Sequence, residues 1–322
     1  MKADILHQES LVWDAHECFP LRPDAQLEEL AHFKSYGVNH LSINIGMDYN
    51  PQNLVLAVAK NFRQYIKAHS DKYIFAQSID HIVQAKKEGK LSISFDLEGS
   101  DPLEGKIEML QEFYQLGVRQ MLLAYNLDNQ ASGGCEQNKI GLTSYGEQLI
   151  KEMNRLGIVV DLSHMGYKAT MEAMEVSKKP VIFSHSNPLT VHQHARNISD
   201  QQIKKCAQLG GVIGINGIGM FLGDNVTSTA AFIDHVDYIK NLVGPEHVGI
   251  GLDYVIDRQE LLDFFKAHPD RYPPEKKYDQ GKYVEPKQIP DMAHELLERK
   301  WDEQQIKLFL GENFFRVAKE VW

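Results

Sequence analysis

Residues 141–187 read GLTSYGEQLIKEMNRLGIVVDLSHMGYKATMEAMEVSKKPVIFSHSN. Two runs rich in β-branched residues, at 157–164 and 181–187, each end in polar residues that include a histidine. A longer segment with helical periodicity follows each run. Strands that helices cover on both faces are typically continuous apolar runs of this kind, and alternation with helices is typical of a parallel sheet. The stretch therefore predicts strand–helix units of an α/β fold.

The helical segments carry recognisable ends. In the segment 142–157, apolar residues recur at three- and four-residue spacings, and either Thr143 or Ser144 can cap its start. A later segment repeats the scheme, with Ser199 or Asp200 as the cap and a glycine pair at its end. These caps predict two helices that each lead into a strand.

Six further apolar runs have the same character. They are LVWDAH (11–16), VNHLSINIG (38–46), KLSISFDLEG (90–99), VRQMLLAYN (118–126), GVIGING (211–217) and HVGIGLDY (247–254). Eight strand–helix units predict a closed (β/α)8 TIM barrel. The rival, an open doubly wound sheet, usually has fewer strands and a GxGxxG loop, which the GGVIGING stretch lacks.

Nearly the whole length is used by this pattern, so we predict one barrel domain over 1–322. An extended loop is expected at about 256–290, after the eighth strand, because five of the twelve prolines fall there; a short helix is expected inside it at 258–268. Two helical pieces, at 289–300 and 303–322, are expected to close the chain.

Composition restricts the partners and the compartment. The 34 Lys plus Arg against 44 Asp plus Glu leave a net charge of −10, which argues against a nucleic-acid or anionic-membrane partner. Three cysteines without CxxC spacing support neither a disulfide framework nor a Cys-rich zinc module. The N-terminus shows no secretory signal, and no apolar stretch is long enough for a membrane span. We therefore expect a soluble, cytoplasmic protein.

Polar residues gather where the predicted strands end. They are His16, Cys18, Asn44, Glu98, Tyr125, Asn126, His164, His185, Asn216 and Asp253. In an α/β barrel the carboxyl ends of the strands form one rim and carry the catalytic groups. A single histidine there is more often structural, but several imidazoles and carboxylates arriving together predict a catalytic site for zinc or a similar divalent ion.

Residues 141–187 closely resemble the core of the membrane (renal) dipeptidase family of zinc peptidases. FDLEGSDPL, HARNISDQQI, HVGIGLD and LGENFFRVAKEV resemble that family too, so the resemblance covers almost the whole chain. It implies a barrel of the amidohydrolase type with two zinc ions, bridged by a glutamate and a water. It also implies a homodimer and hydrolysis of dipeptides, often without strict demand for an L residue at the C-terminal position.

The resemblance assigns roles by position. Glu98 matches the bridging carboxylate, His164 and His185 match the ligands of one ion, and His16 matches the first ligand of the other. Asp253 matches the aspartate that acts as acid and base, a role that suits a carboxylate beside a reacting water. Arg196 matches the arginine that binds the substrate carboxylate, for which its planar fork is suited; the alternative for Arg196 is a surface ion pair.

Three departures from the family touch the site, and one of them is DYVI at 253–256, where the family has DFDG next to the aspartate. The family's His-x-Asp reads His16, Glu17, Cys18 here. Cys18 is therefore a thiolate ligand, or the first site is weak or empty so that one ion is held, or Cys18 is an unliganded thiol. Strand alternation should point Glu17 away from His16. Tyr125 stands where the family has a histidine that stabilises the oxyanion, and a phenol can donate one hydrogen bond there.

The leading hypothesis is metal-dependent hydrolysis of a dipeptide, with a D residue accepted at its C-terminal position. Zn2+ is the expected cofactor, as one or two ions, and other divalent metals also suit such ligands. Two alternatives stay open. One is an amidohydrolase that acts on an N-acyl amino acid or another small nonpeptide substrate; the other is a barrel with reduced catalysis that binds an amino-acid-like ligand.

Overall fold

The computed structural model describes residues 2–269, 271, 272, 276 and 278–322. The described chain contains ten parallel strands. They are β1 (Trp13–Cys18), β2 (His40–Met47), β3 (Tyr73–Phe75), β4 (Leu91–Glu98), β5 (Val118–Leu122), β6 (Val159–Asp161), β7 (Val181–Phe183), β8 (Val212–Ile215), β9 (Val248–Ile250) and β10 (Tyr254–Val255).

Eight of these strands close into a barrel. The order is β1-β2-β4-β5-β6-β7-β8-β9, and β9 pairs with β1 at Ile250 and Asp14. Two short strands attach outside this circle, since β3 pairs with β4 and β10 pairs with β1. The predicted (β/α)8 barrel is confirmed.

Helices surround the barrel. They are α1 (Lys2–Glu9), α2 (Leu30–Ser35), α3 (Gln52–Ala68), α4 (Ile79–Lys87), α5 (Met109–Leu116), α6 (Ser144–Leu156), α7 (Tyr167–Val176), α8 (Asp200–Gln208), α9 (Gly219–Leu222), α10 (Thr229–Val243), α11 (Arg258–Ala267), α12 (Ile289–Glu298), α13 (Glu303–Lys307) and α14 (Asn313–Val321). No helix in the described ranges is long and apolar enough to cross a membrane.

The helix caps agree with the sequence. Thr143 caps α6 by accepting a hydrogen bond from the Gly146 amide at 3.1 Å, and Gly157 ends this helix with φ of 88°. Ser199 caps α8 in a capping box with Gln202. In both places the first of the two candidate residues is the cap, because the second already belongs to the first helical turn.

Several strands are shorter than predicted. The apolar run at 157–164 forms only β6, and the run at 181–187 forms only β7. Asn126, His164 and Asp253 adopt left-handed backbone angles, with φ of 60°, 64° and 57°. A left-handed residue cannot continue a strand, so the polar ends of the runs turn out of the sheet and form the loops at the rim.

The segment at 256–290 contains local structure where it is described. The short helix expected at 258–268 is present as α11, and single 3-10 turns occur at Tyr278–Gln280 and Pro286–Gln288. The part of this predicted loop at 270, 273–275 and 277 lies outside the described residues.

The last predicted helix is divided in two. A π-turn at Leu308–Glu312 separates α13 from α14. Gly311 lies in this turn, where a Cβ atom would come 2.5 Å from the carbonyl oxygen of Leu11. The close approach lets α14 pack across the end of the barrel where β1 begins.

Phe314 on α14 fills this end of the barrel. Its ring lies 6.2 Å from that of Trp13, and a Cβ on Gly249 would come within 2.5 Å of it. The residue is 3% exposed. Because Gly249 on β9 has no side chain, the phenyl ring of Phe314 has room to pack here.

We expect Phe314→Ala to lower the free energy of unfolding by about 3–5 kcal/mol, because the substitution removes a buried ring and leaves a cavity. Urea unfolding followed by circular dichroism measures this loss. The exposed Lys319 lies on the same helix, and Lys319→Ala is the matched control. A loss below about 1 kcal/mol in Phe314→Ala would contradict the packing role.

Candidate metal centre

The predicted site residues come together at one rim of the barrel. His16 and Cys18 lie on β1, and Glu98 is the last residue of β4. The remaining ones lie in the loops that follow β5, β6, β7 and β9, and they are Tyr125, His164, His185, Arg196 and Asp253. Parallel strands around a closed barrel bring all these positions to the same end.

Glu98 is the centre of the arrangement. Its Oε1 lies 3.1 Å from Nε2 of His164 and 3.5 Å from Nε2 of both His16 and His185. All four side chains are buried. Three imidazoles, one from β1 and two from the loops after β6 and β7, therefore direct the same ring nitrogen at one carboxylate oxygen.

A second group of possible ligands adjoins the first at His16. The Nε2 of His16 lies 3.7 Å from Oδ1 of Asp253 and 3.6 Å from Sγ of Cys18. Cys18 Sγ lies 3.4 Å from the same Asp253 oxygen. Asn216 donates a hydrogen bond of 2.8 Å to the other oxygen of Asp253 and so fixes its orientation.

Each imidazole is oriented through its other nitrogen. Asp96 lies 3.1 Å from Nδ1 of His16, and Asn126 Oδ1 lies 2.7 Å from Nδ1 of His164. Ser184 Oγ lies 2.6 Å from Nδ1 of His185. Such partners set the ring orientation and the tautomer, leaving Nε2 to face a metal ion.

The sequence analysis did not identify two of these orienting residues, Asp96 and Ser184. Asp96 stands two residues before Glu98, and the period of a strand places both on one face. This spacing could have indicated it. Ser184 directly precedes His185, and its hydroxyl hydrogen-bonds the buried Asp161 carboxylate. Nothing in the sequence alone distinguishes this serine from others.

The electrostatics of the centre favour a cation. Burial raises the pKa of Glu98 to about 8, although His16 opposes the shift. Burial also disfavours charge on His16, but Asp96 and Glu98 outweigh it and raise the pKa of His16 well above its usual range. Burial lowers the pKa of His164 and of His185 well below the usual value, so both rings are neutral at pH 7.

The donor set fits a divalent metal ion. With Nδ1 of His164 donating to Asn126, the lone pair on Nε2 points at the Glu98 oxygen 3.1 Å away. Nε2 of His185 is buried and has no hydrogen-bond partner among the described residues. Lone pairs that face a buried carboxylate repel it, and a cation between them removes the repulsion. Imidazole and carboxylate are typical ligands of catalytic zinc.

Cys18 and Tyr125, which stand at two of the departures, also reach the site. Burial and the nearby Asp253 carboxylate raise the pKa of the Cys18 thiol. Tyr125 stacks on the His164 ring at 4.2 Å and lines the cavity above it. Glu17 belongs to neither of the ligand groups that the described residues form, which agrees with its expected direction.

Arg196 is buried rather than exposed. Its side chain is held against the carbonyl oxygen of His185 at 3.4 Å, and its guanidinium lies 5.6 Å from the centre of the Phe221 ring. Within the described part of the chain, no carboxylate comes within 4.0 Å of it. The alternative prediction from the sequence, that Arg196 forms a surface ion pair, is therefore wrong.

A cavity opens above these residues toward the loops after β1 and β9. Most of its lining is apolar or aromatic. It includes Phe19, Leu21, Met47, Ile218, Met220, Phe221, Val255, Leu261, Phe264, Phe265, Tyr272, Tyr278 and Tyr283. The few charged side chains in it sit at the metal centre, at Arg196 and near the start of α11.

Comparison with known proteins identifies the family. The family model described as membrane dipeptidase, peptidase family M19, matches residues 5–264. An uncharacterized dipeptidase of Schizosaccharomyces pombe is 32% identical over 270 residues, which are 80% of this chain; the match covers 60% of the length of that protein.

Solved structures share the fold over the full length. An amidohydrolase from Pseudomonas aeruginosa is 28% identical, with a TM-score of 0.90 and 99% of each chain covered. A metallo peptidase from Rhodobacter sphaeroides, liganded with a phosphinate mimic of the dipeptide L-Ala-D-Ala, is 19% identical, with a TM-score of 0.81; 98% of this chain and 100% of that one are covered. The chain belongs to the membrane dipeptidase family, peptidase family M19.

Proposed function

We propose that the protein is a metal-dependent dipeptidase that cleaves the peptide bond at the Glu98 centre. The convergence of three imidazole Nε2 atoms on Oε1 of Glu98, at 3.1–3.5 Å, is the observation that carries this proposal. Membership of a peptidase family supports it. The activity is proposed for this chain, which spans 60% of the length of the curated relative that it matches.

Zinc is the proposed cofactor. Glu98, His164 and His185 would hold one ion, while Glu98, His16 and Cys18 would hold a second. When bound, such ions polarise the substrate carbonyl and lower the pKa of a water molecule, which makes it nucleophilic near neutral pH. The thiol favours a soft, thiophilic ion at the second position over magnesium or calcium.

The chain's own residues have distinct parts in this proposal. Arg196 binds the C-terminal carboxylate of the substrate in bidentate fashion, which fixes the scissile bond over Glu98. Asp253 accepts the proton of the attacking water and passes it to the leaving amine, and Asn216 keeps its carboxylate in place. The Tyr125 hydroxyl donates a hydrogen bond to the oxygen that gains negative charge.

We propose further that a D residue is accepted at the C-terminal position. The Rhodobacter sphaeroides protein, which shares the fold, carries a mimic of L-Ala-D-Ala. Arg196 grips a carboxylate, a group that both enantiomers present. Buried apolar contacts beyond it, such as Phe221, have no hydrogen-bonding group that would require one configuration.

The substrate proposal is tested with a panel of dipeptides that carry L or D residues at the C-terminal position, assayed on zinc-replete protein. We expect turnover, and Arg196→Lys should raise KM about 10- to 100-fold, because a point charge replaces a bidentate fork. Arg155 is exposed on α6 and pairs with Glu152, so Arg155→Lys is the matched control. Absence of turnover across the whole panel would contradict the proposed activity.

Metal analysis of purified protein tests the ligand set. We expect about one to two zinc equivalents per chain, and His185→Ala should lose about one equivalent, because an open three-ligand site does not hold zinc with two. His32 is exposed on α2, and His32→Ala should retain the full content. Fewer than about 0.2 equivalents in the parent protein after zinc supplementation would contradict a catalytic metal site.

Cobalt substitution distinguishes the three roles considered for Cys18. A cobalt ion bound by thiolate gives a charge-transfer absorption in the near ultraviolet, which we expect in the parent protein and not in Cys18→Ser. Cys206 is buried in α8, away from the rim, and Cys206→Ala should keep the band. Two bound cobalt ions without the charge-transfer band would show that Cys18 is an unliganded thiol. One bound cobalt ion without this band would show that the site at His16 and Cys18 is empty.

A further inference from the structure

The substrate cavity is lined by Cys18 and Asp253 on one side and by Arg196 on another. In the circular strand order, β7 stands three places from β1, one place short of the position directly across the barrel. Cys18 and Asp253 mark the β1 end, where they contact each other at 3.4 Å. Arg196 marks the other end, since it follows β7 and contacts the carbonyl oxygen of His185.

This polarity orients the substrate. If Arg196 binds the C-terminal carboxylate, as the proposed function requires, the amide bond lies over Glu98 and the acyl half of the substrate extends toward β1. The groups that line the cavity beyond Cys18 therefore determine which acyl groups are accepted.

Most of those groups are apolar or aromatic. We call them the amino-side wall, which consists of Phe19, Leu21, Val255, Leu261 and Tyr283. Val255 pairs with Cys18 across β1 and β10, so it borders the thiol directly. Leu261 lies on α11, a helix with no buried residue, so its side chain is available to a substrate.

The two carboxylates at this end are already paired. Arg22 lies 3.0 Å from Asp257 and also contacts Glu260. Glu260 accepts a further hydrogen bond of 2.8 Å from the Leu21 amide, and Asp257 caps α11 by accepting one from the Glu260 amide at 3.0 Å. Both acids are therefore held in place by Arg22 and by backbone amides, and one guanidinium against two carboxylates leaves this cluster acidic.

We propose that the amino-side wall selects a bulky apolar group on the acyl side of the scissile amide. This inference rests on the proposed function and names its substrate class. An apolar group gains free energy by leaving water for these side chains, whereas a polar or anionic group would lose its hydration without finding a partner. Two compound classes carry such a group: a dipeptide with a large apolar N-terminal residue, and an amino acid acylated by an aromatic or aliphatic chain.

Specificity constants measure the selection. With the C-terminal residue held constant, kcat/KM should rise at least about tenfold from Gly and Ala to Leu and Phe at the N-terminal position, and Glu should fall below Ala. A Phe dipeptide is compared with its 3-phenylpropionyl analogue, which has the same ring and no amino group. The better substrate of this pair identifies the compound class. Equal values of kcat/KM would show that the wall recognises the ring and that the amino group makes no difference.

Variants connect the selection to the wall. Leu21→Ser and Leu261→Ser should each reduce the Phe-to-Ala ratio of kcat/KM at least about threefold, because each places a hydroxyl in the apolar surface. Lys266 is exposed on α11, and Lys266→Ala should leave the ratio unchanged. Thermal unfolding checks that the variants stay folded. Turnover of the panel without preference for large apolar groups would overturn the inference and leave the proposed activity intact.

Binding of phosphinate dipeptide analogues, measured by calorimetry on the metal-replete protein, does not depend on turnover. The analogue with a phenylalanine side chain on the acyl side should bind at least about tenfold more tightly than the one with an alanine side chain. Tighter binding of the phenylalanine analogue without turnover of any substrate would overturn the proposed activity. It would support the selection of apolar groups by the amino-side wall. Equal binding of the two analogues would overturn the inference.

Discussion

The site depends on the contact between one buried carboxylate oxygen and three imidazole nitrogens. Oε1 of Glu98 lies 3.1 Å from Nε2 of His164 and 3.5 Å from the same atom of two other histidines. Without a cation the pKa of Glu98 rises to about 8 because the carboxylate has lost its water. Asp96 and Glu98 raise the pKa of His16 too, against the effect of burial. The buried carboxylates of this cluster therefore favour a positive charge beside them.

The barrel holds this arrangement in place at the cost of local conformational strain. His164 and Asp253 reach the rim with left-handed backbone angles, which non-glycine residues rarely adopt. The surrounding structure compensates for them. Asn126 holds Nδ1 of His164, and Asn216 holds the Asp253 carboxylate. The His164 and Asp253 side chains are thus held in place before a metal or a substrate binds, so binding costs little ordering entropy.

The sequence predicted the barrel and the convergence of the site residues because both follow from local pattern. Continuous apolar runs indicate buried parallel strands, and the parallel strands of a barrel all end on one rim. The lengths of the strands were not predicted, since polar residues such as His164 leave the sheet through backbone angles that composition does not reveal. The short strand β3 has only three residues and carries too little pattern to be distinguished from a loop.

Orienting residues were predicted less well than the residues that face the metal. Asp96 could have been inferred from its spacing to Glu98, whereas Ser184 depends on which serine the fold brings near Asp161. From the sequence, Arg196 could bind the substrate in the site or form an ion pair at the surface. Burial decided this point, because Arg196 lies inside the protein against a backbone carbonyl, with no carboxylate of the described residues in contact with it.

Cys18 and the amino-side wall meet at the β1 end of the cavity, where Val255 of the wall pairs with Cys18 across β1 and β10. A thiolate at Cys18 that binds a metal ion has its charge compensated by that ion. Arg22 contacts both Asp257 and Glu260, so the two carboxylates beside the wall also face a group of opposite charge. The wall itself is apolar. The acyl half of a substrate that enters this end is therefore held mainly by apolar contact.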